Sequence, residues 1–153
     1  MKLINTFATE LPWACEPVAP QPLRAPRLLH LNQGLLRELG LDGIGEADWL
    51  ACCGLGQPLP GMQPVAQVYA GHQFGGYSPR LGDGRALLLG EQLAPDGQRW
   101  DLHLKGAGKT PFSRFGDGRA VLRSSIREYL ASEALHALGI PTTRALVLVG
   151  SDE

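Results

Sequence analysis

The residues that could do chemistry in this 153-residue chain are concentrated in one glycine- and arginine-rich stretch, from Val68 to Glu133. Eleven of the 20 glycines lie between Gly71 and Gly118, and nine of the 14 Lys and Arg lie between Arg80 and Arg127, a window with only five Asp and Glu. Glycine lets backbone N–H groups approach a ligand closely, and clustered Arg and Lys side chains neutralise anions. The stretch therefore predicts a site for a phosphate-bearing ligand.

One phosphate-binding motif is approached but not completed. Gly108-Lys109-Thr110 matches the end of the P-loop motif G-x-x-x-x-G-K-[ST], whose first glycine would stand at position 103. That position holds His103, in a segment whose alternation of apolar and polar residues is typical of a strand. We therefore reject the P-loop interpretation.

A different arrangement of the same residue types fits better. In the N-terminal lobe of protein kinases, a glycine-rich turn leads into a hairpin, a lysine on the next strand holds phosphates, and a helix glutamate fixes that lysine. Here the turn is Leu81–Arg85 (LGDGR) and the lysine is Lys105, followed 23 residues later by Glu128 and 28 later by Glu133. The two glutamates lie roughly 140° apart on a helix of ~3.6 residues per turn, so spacing alone leaves both open.

Glu128 also has a purely structural interpretation. Ser125-x-x-Glu128 has the form of a capping box, in which the glutamate bonds back to the start of the helix. Residues Ala120 to Ser124 already have a helical pattern, which weakens this alternative.

Other polar residues give weaker signals. His72 and Gln73 stand between glycines and could reach a ligand, although an isolated histidine more often has a structural hydrogen-bonding role. The acidic residues Asp83, Asp101 and Asp117 are scattered and form no convincing Asp/Asn pair for a metal ion. The three cysteines are odd in number and include an adjacent pair, so neither a disulfide framework nor a zinc site is expected, and a reducing cytoplasm fits.

Composition excludes several classes of protein. The content of 44% hydrophobic and 19% charged residues is ordinary for a globular protein, and the length is enough for one domain. No apolar run is long enough for a membrane helix, and the N-terminus lacks the core of a signal peptide. The net charge is −1, and the basic window lacks interleaved aromatic residues, so neither a nucleic-acid nor a membrane partner is expected.

The elements that must position the site follow from periodicity and breakers. The pattern predicts an α+β fold with a mostly antiparallel sheet and one prominent helix. In order, the expected elements are a strand Val65–Tyr69, a strand Ala86–Leu93, an Asp96-Gly97 turn, a strand Arg99–Lys105, a glycine-rich loop Gly106–Gly118, a helix Arg119–Leu138 ended by Gly139, and a strand Thr142–Gly150.

The first part of the chain carries no chemistry that the sequence identifies. Residues 1–30 are proline-rich and predict an extended arm, followed by a helix Leu28–Leu39 with Asn32 as a possible N-cap, and by a helical turn Ala47–Cys53. We expect a boundary that separates residues 1–64 from a nucleotide-binding unit at residues 65–153. The expected anchors of the arm are Leu3, Phe7, Leu11 and Trp13.

The tetrapeptide GDGR occurs twice, at Gly82–Arg85 and Gly116–Arg119. The first copy opens a predicted strand and the second a predicted helix, so they do not form a structural repeat. The chain stops just after an apolar strand, and we therefore expect it to be a fragment of a longer protein.

Two long runs carry a family resemblance. The segments YAGHQFGGYSPRLGDGRALLLGE and DLHLKGAGKTPFSRFGDGRAVLRSSIREYLASEALHALGIPTTRAL closely resemble the selenoprotein O (SelO) family, and the N-terminal part is a looser match. The resemblance implies a protein-kinase-like N-lobe preceded by the extended arm. It also implies a protein adenylyltransferase, which binds ATP in an orientation flipped relative to kinases and transfers AMP to Ser, Thr or Tyr hydroxyls of protein substrates.

The resemblance further assigns roles to individual residues. It implies that Glu128 is the partner of Lys105, and that the catalytic base and the ligands for Mg²⁺ or Mn²⁺ belong beyond Glu153. The 153 residues alone are then expected to be inactive, and the alternative is a non-catalytic nucleotide-binding or interaction module. The residues expected to contact ATP are Gly82, Gly84, Arg85, Lys105, Asp117 and Gly118.

Overall fold

The chain folds around an antiparallel sheet in the computed structural model, which describes residues 3–152. In chain order the elements are β1 (Leu3–Ile4), α1 (Thr6–Glu10), a 3-10 turn (Pro12–Ala14), β2 (Cys15–Pro17), β3 (Arg27–Leu31), α2 (Gln33–Glu38), α3 (Glu46–Leu55), β4 (Val65–Gln67), β5 (Gly71–Gln73), β6 (Gly76–Ser78), β7 (Ala86–Leu93), β8 (Arg99–Lys105), α4 (Leu122–Ala137) and β9 (Val147–Gly150). The predicted α+β class is confirmed.

The strand β7 is the centre of the main sheet. It pairs with β8 from Ala86 opposite Lys105 to Leu93 opposite Arg99. Its other edge is shared by β4 and β1, and β2 extends the sheet beyond β4. Both strands of this hairpin have the predicted bounds, because the alternating pattern and the Asp-Gly turn act locally.

Two small sheets complete the strand pairing. The strands β5 and β6 form a short hairpin, and β3 pairs with β9 through Leu31 opposite Val147. The pairing of β3 overturns the predicted helix Leu28–Leu39, because Leu28 to Leu31 form a strand and only α2 is helical. The predicted N-cap is confirmed, since the Asn32 side chain accepts a hydrogen bond from the Leu35 N–H at 3.0 Å.

Three other predicted bounds are wrong at one end. The strand that begins at Val65 stops at Gln67 rather than Tyr69, and the long helix begins at Leu122 rather than Arg119. The last strand, predicted from Thr142, is limited to β9. In the last two cases a residue left outside the element makes contacts elsewhere in the fold: Arg119 donates to carbonyls of the N-terminal arm, and Arg144 donates to Glu133.

The core lies between the main sheet and the helices α2 and α3. The helices contribute buried side chains such as Leu35, Leu36 and Trp49, and β7 contributes Leu87 and Leu89. No helix among residues 3–152 has both the length and the apolar character needed to cross a membrane.

The N-terminal arm reaches the sheet through fewer anchors than expected. Leu3 packs against the main core and Phe7 against a smaller cluster. Leu11 and Trp13 do not act as anchors, because they are 38% and 80% exposed.

A buried glutamate on β7 fastens the arm. The Glu91 carboxylate accepts hydrogen bonds from the Thr6 hydroxyl and from the Phe7 N–H at 3.0 Å, and Arg99 lies 3.6 Å away. Burial alone would raise the pKa of Glu91, but the hydrogen bonds from Thr6 and Phe7 and the charge of Arg99 together lower it. The ionised form therefore stabilises the docked arm.

We expect Glu91→Gln to lower the free energy of unfolding by about 1–3 kcal/mol at about pH 7, because a buried, charge-assisted set of hydrogen bonds loses its charge. The folded-state pKa is below the ordinary 4.5, so this stabilisation is present above that value. It is lost as the pH falls through the lowered pKa. Urea unfolding of both proteins at about pH 7 and about pH 3 should show a difference in the free energy of unfolding that narrows in acid.

The exposed Glu16 provides the control. Glu16→Gln should follow the parent protein at both pH values, and a destabilisation by Glu91→Gln that stays the same in acid would contradict the assigned charge.

Candidate functional site

All six residues expected to contact ATP line one open cleft. Its volume is about 580 Å³, and its walls are the turn Leu81–Arg85, the end of β8 and the loop that precedes α4. Among its lining residues are Gly82, Gly84, Arg85, Lys105, Asp117 and Gly118. Their roles in binding remain predictions.

Two hydroxyl side chains join the glycine-rich segments. Thr110 Oγ1 donates to the carbonyl of Asp83 at 2.5 Å, and Ser113 Oγ donates to the carbonyl of Gly84 at 2.5 Å. The Phe112 N–H in turn donates to Thr110 Oγ1 at 3.1 Å. Sequence reasoning missed both hydroxyls, because the carbonyls that accept from them lie 27 and 29 residues away in the chain, beyond the reach of any local pattern.

The acidic residue of the first turn has a structural role. Asp83 is buried, its carboxylate accepts from the Gln67 N–H at 3.0 Å, and its own N–H donates to the Gln67 carbonyl at 2.9 Å. These bonds hold the turn against the end of β4. Burial and the neighbouring Asp83 charge both raise the pKa of Tyr69, which keeps that phenol neutral.

Two of the cleft glycines are required by packing. Gly82 has φ +66°, and a Cβ there would lie 2.4 Å from the Phe112 ring. Gly118 has φ +77°, and a Cβ there would lie 2.0 Å from the Gly108 carbonyl oxygen. A side chain at either position would be strained in its backbone and would collide with its neighbour.

The lysine at the end of β8 is paired with the first of the two candidate glutamates. Lys105 Nζ lies 2.6 Å from both carboxylate oxygens of Glu128, with side chains 44% and 54% exposed. The N-cap of α4 is Val121, and the Ser125 hydroxyl donates to the Val121 carbonyl. The capping-box interpretation of Ser125 and Glu128 is therefore wrong, because both residues lie inside the helix.

The second candidate glutamate is committed elsewhere. Glu133 accepts from Arg144 Nε and Nη2, each at 3.0 Å, and from the Ala145 N–H at 2.9 Å. Asn32 Nδ2 donates to the same carboxylate at 3.0 Å. The bonds from Arg144 are the main reason why the pKa of Glu133 is lowered. This network fixes the segment that was predicted as the start of the last strand, and it leaves Glu128 as the partner of Lys105.

The two GDGR copies place their arginines differently. The Arg119 guanidinium donates to the carbonyls of Gln21 at 2.9 Å and Pro22 at 2.7 Å, which ties the loop to the N-terminal arm. Arg85 and Arg114 line the cleft, and within residues 3–152 neither side chain has a hydrogen-bonding or ionic partner. The cleft therefore contains two cations available to an anion.

The remaining candidates contribute less. Gln73 lines the cleft. The His72 ring instead packs edge-to-face against Tyr77 within the β5–β6 hairpin, with the two ring centroids 5.2 Å apart. Asp117 accepts from the Arg119 N–H at 2.8 Å. In the part of the chain that the structure describes, no group of three or more His, Cys, Asp and Glu residues could hold a metal ion.

Comparison with known proteins defines the class to which the chain belongs. Residues 5–153 match the family model described as protein adenylyltransferase SelO, so the chain is a member of the SelO family, and the resemblance is confirmed. Over all 153 residues it is 94% identical to the protein nucleotidyltransferase YdiU of Aeromonas salmonicida, and 92% identical to that of Aeromonas hydrophila. The identity to the protein of the same name from Bordetella petrii is 58% over 156 aligned residues.

The match covers all of this chain but only part of each relative. It accounts for 32% of each Aeromonas protein and 31% of the Bordetella protein. The chain therefore spans about a third of the length of the curated relatives it matches.

The two glutamates of α4 should differ in their effect on stability. Glu133→Gln is expected to lower the free energy of unfolding by about 2 kcal/mol, because the buried Arg144 loses the charge of Glu133 and keeps the exposed Glu38, at 3.1 Å, as its charged partner. Glu128→Gln should change it by at most about 1 kcal/mol, since an exposed ion pair is worth little. Thermal and urea unfolding of the two variants measure the difference, and equal losses would contradict it.

The arginines of the two GDGR copies, Arg85 and Arg119, should also differ in their effect on stability. Arg119→Ala removes two hydrogen bonds to the arm and is expected to destabilise the protein by about 1–3 kcal/mol. Arg85→Ala should leave stability within about 0.5 kcal/mol, as expected for an exposed side chain without polar partners. Limited proteolysis of the arm gives an independent measurement, with faster cleavage expected for Arg119→Ala alone.

Proposed function

We propose that this chain supplies the ATP-phosphate-binding lobe of a protein adenylyltransferase, which transfers AMP from ATP to Ser, Thr or Tyr hydroxyls of proteins. The observation that carries the proposal is the convergence of the six predicted ATP contacts on one cleft, beside the Lys105–Glu128 ion pair. Family membership supports nucleotidyl transfer as the general chemistry. In this proposal residues 65–153 act as a kinase-like N-lobe.

Charge in the cleft is suited to a triphosphate. Arg85 offers a planar set of donors that is not used elsewhere in residues 3–152, and Lys105 supplies a second cation held in place by Glu128. Fixed cations stabilise negative charge that develops on phosphoryl oxygens during transfer, because they need no reorganisation at that moment. Asp117 is an acceptor and suits a hydroxyl or amino group of the nucleotide better than a phosphate.

In this proposal the described residues supply only part of the reaction centre. No group of three or more His, Cys, Asp and Glu residues within residues 3–152 could hold a metal ion, and the Asp83 carboxylate is bonded to the Gln67 backbone. We assign to this chain the binding and orientation of ATP. The proton-accepting base and the metal ligands are assigned to the remainder of a full-length protein.

The test uses a full-length chimera in which this chain replaces the matching segment of the Aeromonas salmonicida relative. With ATP labelled at the α-phosphate, label should pass to protein, and Lys105→Ala should reduce the rate by about 100-fold or more. ATP labelled at the γ-phosphate distinguishes AMP transfer from phosphate transfer.

A nearby lysine provides the matched control. Lys109 lies outside the cleft lining, and Lys109→Ala should keep the rate within about twofold. Transfer that is unaffected by Lys105→Ala would reject the site assignment, and transfer of the γ-label alone would reject the adenylyltransferase. ATP binding by the chimera without any transfer would favour a non-catalytic nucleotide-binding module.

A further inference from the structure

The long helix α4 turns apolar side chains toward solvent. Ile126, Leu130 and Leu138 are 40%, 65% and 75% exposed, and Ala134 between them is exposed as well. Steps of four residues advance by ~40° around a helix, so these four positions cover an arc of about 120°. We call the surface formed by Ile126, Leu130, Ala134 and Leu138 the α4 apolar face.

The opposite side of the helix is the one that meets the rest of the fold, and it is more polar. Ser132 is the only residue of α4 that is buried within residues 3–152, and Ser125 and Tyr129 are half-buried beside it. An amphipathic helix normally places its apolar side against the core. In α4 this arrangement is reversed, because a serine is buried against the fold while Leu130 and Leu138 face solvent.

Two ion pairs fix the rotation of α4 about its own axis. Glu128 is bonded to Lys105 on β8, and Glu133 is bonded to Arg144 in the segment before β9. Rotation that buried Leu130 would break both pairs and would leave Arg144, whose side chain is only 7% exposed, with the exposed Glu38 as its carboxylate partner. The apolar face is therefore a stable property of this fold.

Exposed apolar patches on stable proteins mark contact surfaces. We propose that the α4 apolar face is covered by the part of the full-length polypeptide that lies outside the region matched here, which makes up about two thirds of the relatives. Arg123 and Arg127 stand on the same side of the helix, and neither has a polar partner within residues 3–152. The covering surface is accordingly apolar, with acidic residues opposite these two arginines.

The test compares the 153-residue chain with the full-length chimera described above. Leu130→Cys introduces a thiol whose labelling by a maleimide reports exposure, with the parent proteins giving the background of the natural cysteines. Labelling should be fast in the short chain and at least about tenfold slower in the chimera, where it requires local opening. Leu130→Glu adds a second readout and should lower the melting temperature of the chimera but not of the short chain.

An exposed leucine outside the face provides the control. Leu55 lies at the end of α3 and is 41% exposed, so Leu55→Cys should label at similar rates in both proteins. Equal labelling of position 130 in the two proteins would overturn the proposal. Protection in the short chain itself, together with dimers that Leu130→Glu dissociates, would also overturn it, because a second copy would then be the occupant.

Discussion

Hydrogen bonding along both edges of β7 is the constraint on which the rest of the structure depends. One edge is taken by β8 over its whole length, and the other by β4 and β1. The pairing of Ala86 with Lys105 places the lysine beside the last residue of the first glycine turn. Because Leu87 and Leu89 are core residues, a shift of register would move the cleft and expose the core together.

The parts of the fold that the sequence predicts well are the parts determined by neighbouring residues. The β7–β8 hairpin has its predicted bounds because its alternation and its Asp-Gly turn lie within one short segment. Local patterns fail for β3, whose residues resemble a helix but pair with β9 at the other end of the chain. They also fail at the start of α4, because no local signal reports that Arg119 is held by the arm.

The candidate site is predicted less completely than the fold. The sequence and the family resemblance identify the glycines and cations of the cleft, but not the Thr110 and Ser113 hydroxyls that hold its two segments together. Because a glycine has no side chain, its residue type does not distinguish a role in ligand binding from a role in backbone packing. At Gly82 and Gly118, close backbone packing already requires glycine, so these positions would be sensitive to substitution whether or not a nucleotide binds there.

The two GDGR copies show why a short motif does not determine the role of its arginine. Arg119 meets backbone carbonyls of the arm, which satisfy its donors. Arg85 stands beside Lys105, whose charge is offset by Glu128, and it has no counter-ion of its own within residues 3–152. An arginine without a counter-ion gains most when an anion enters, because no existing ion pair must first be broken. The attraction for phosphate in the proposed site therefore depends mainly on Arg85 and on Arg114, which also lines the cleft without a counter-ion within residues 3–152, and Lys105 contributes chiefly a cation held in a fixed position.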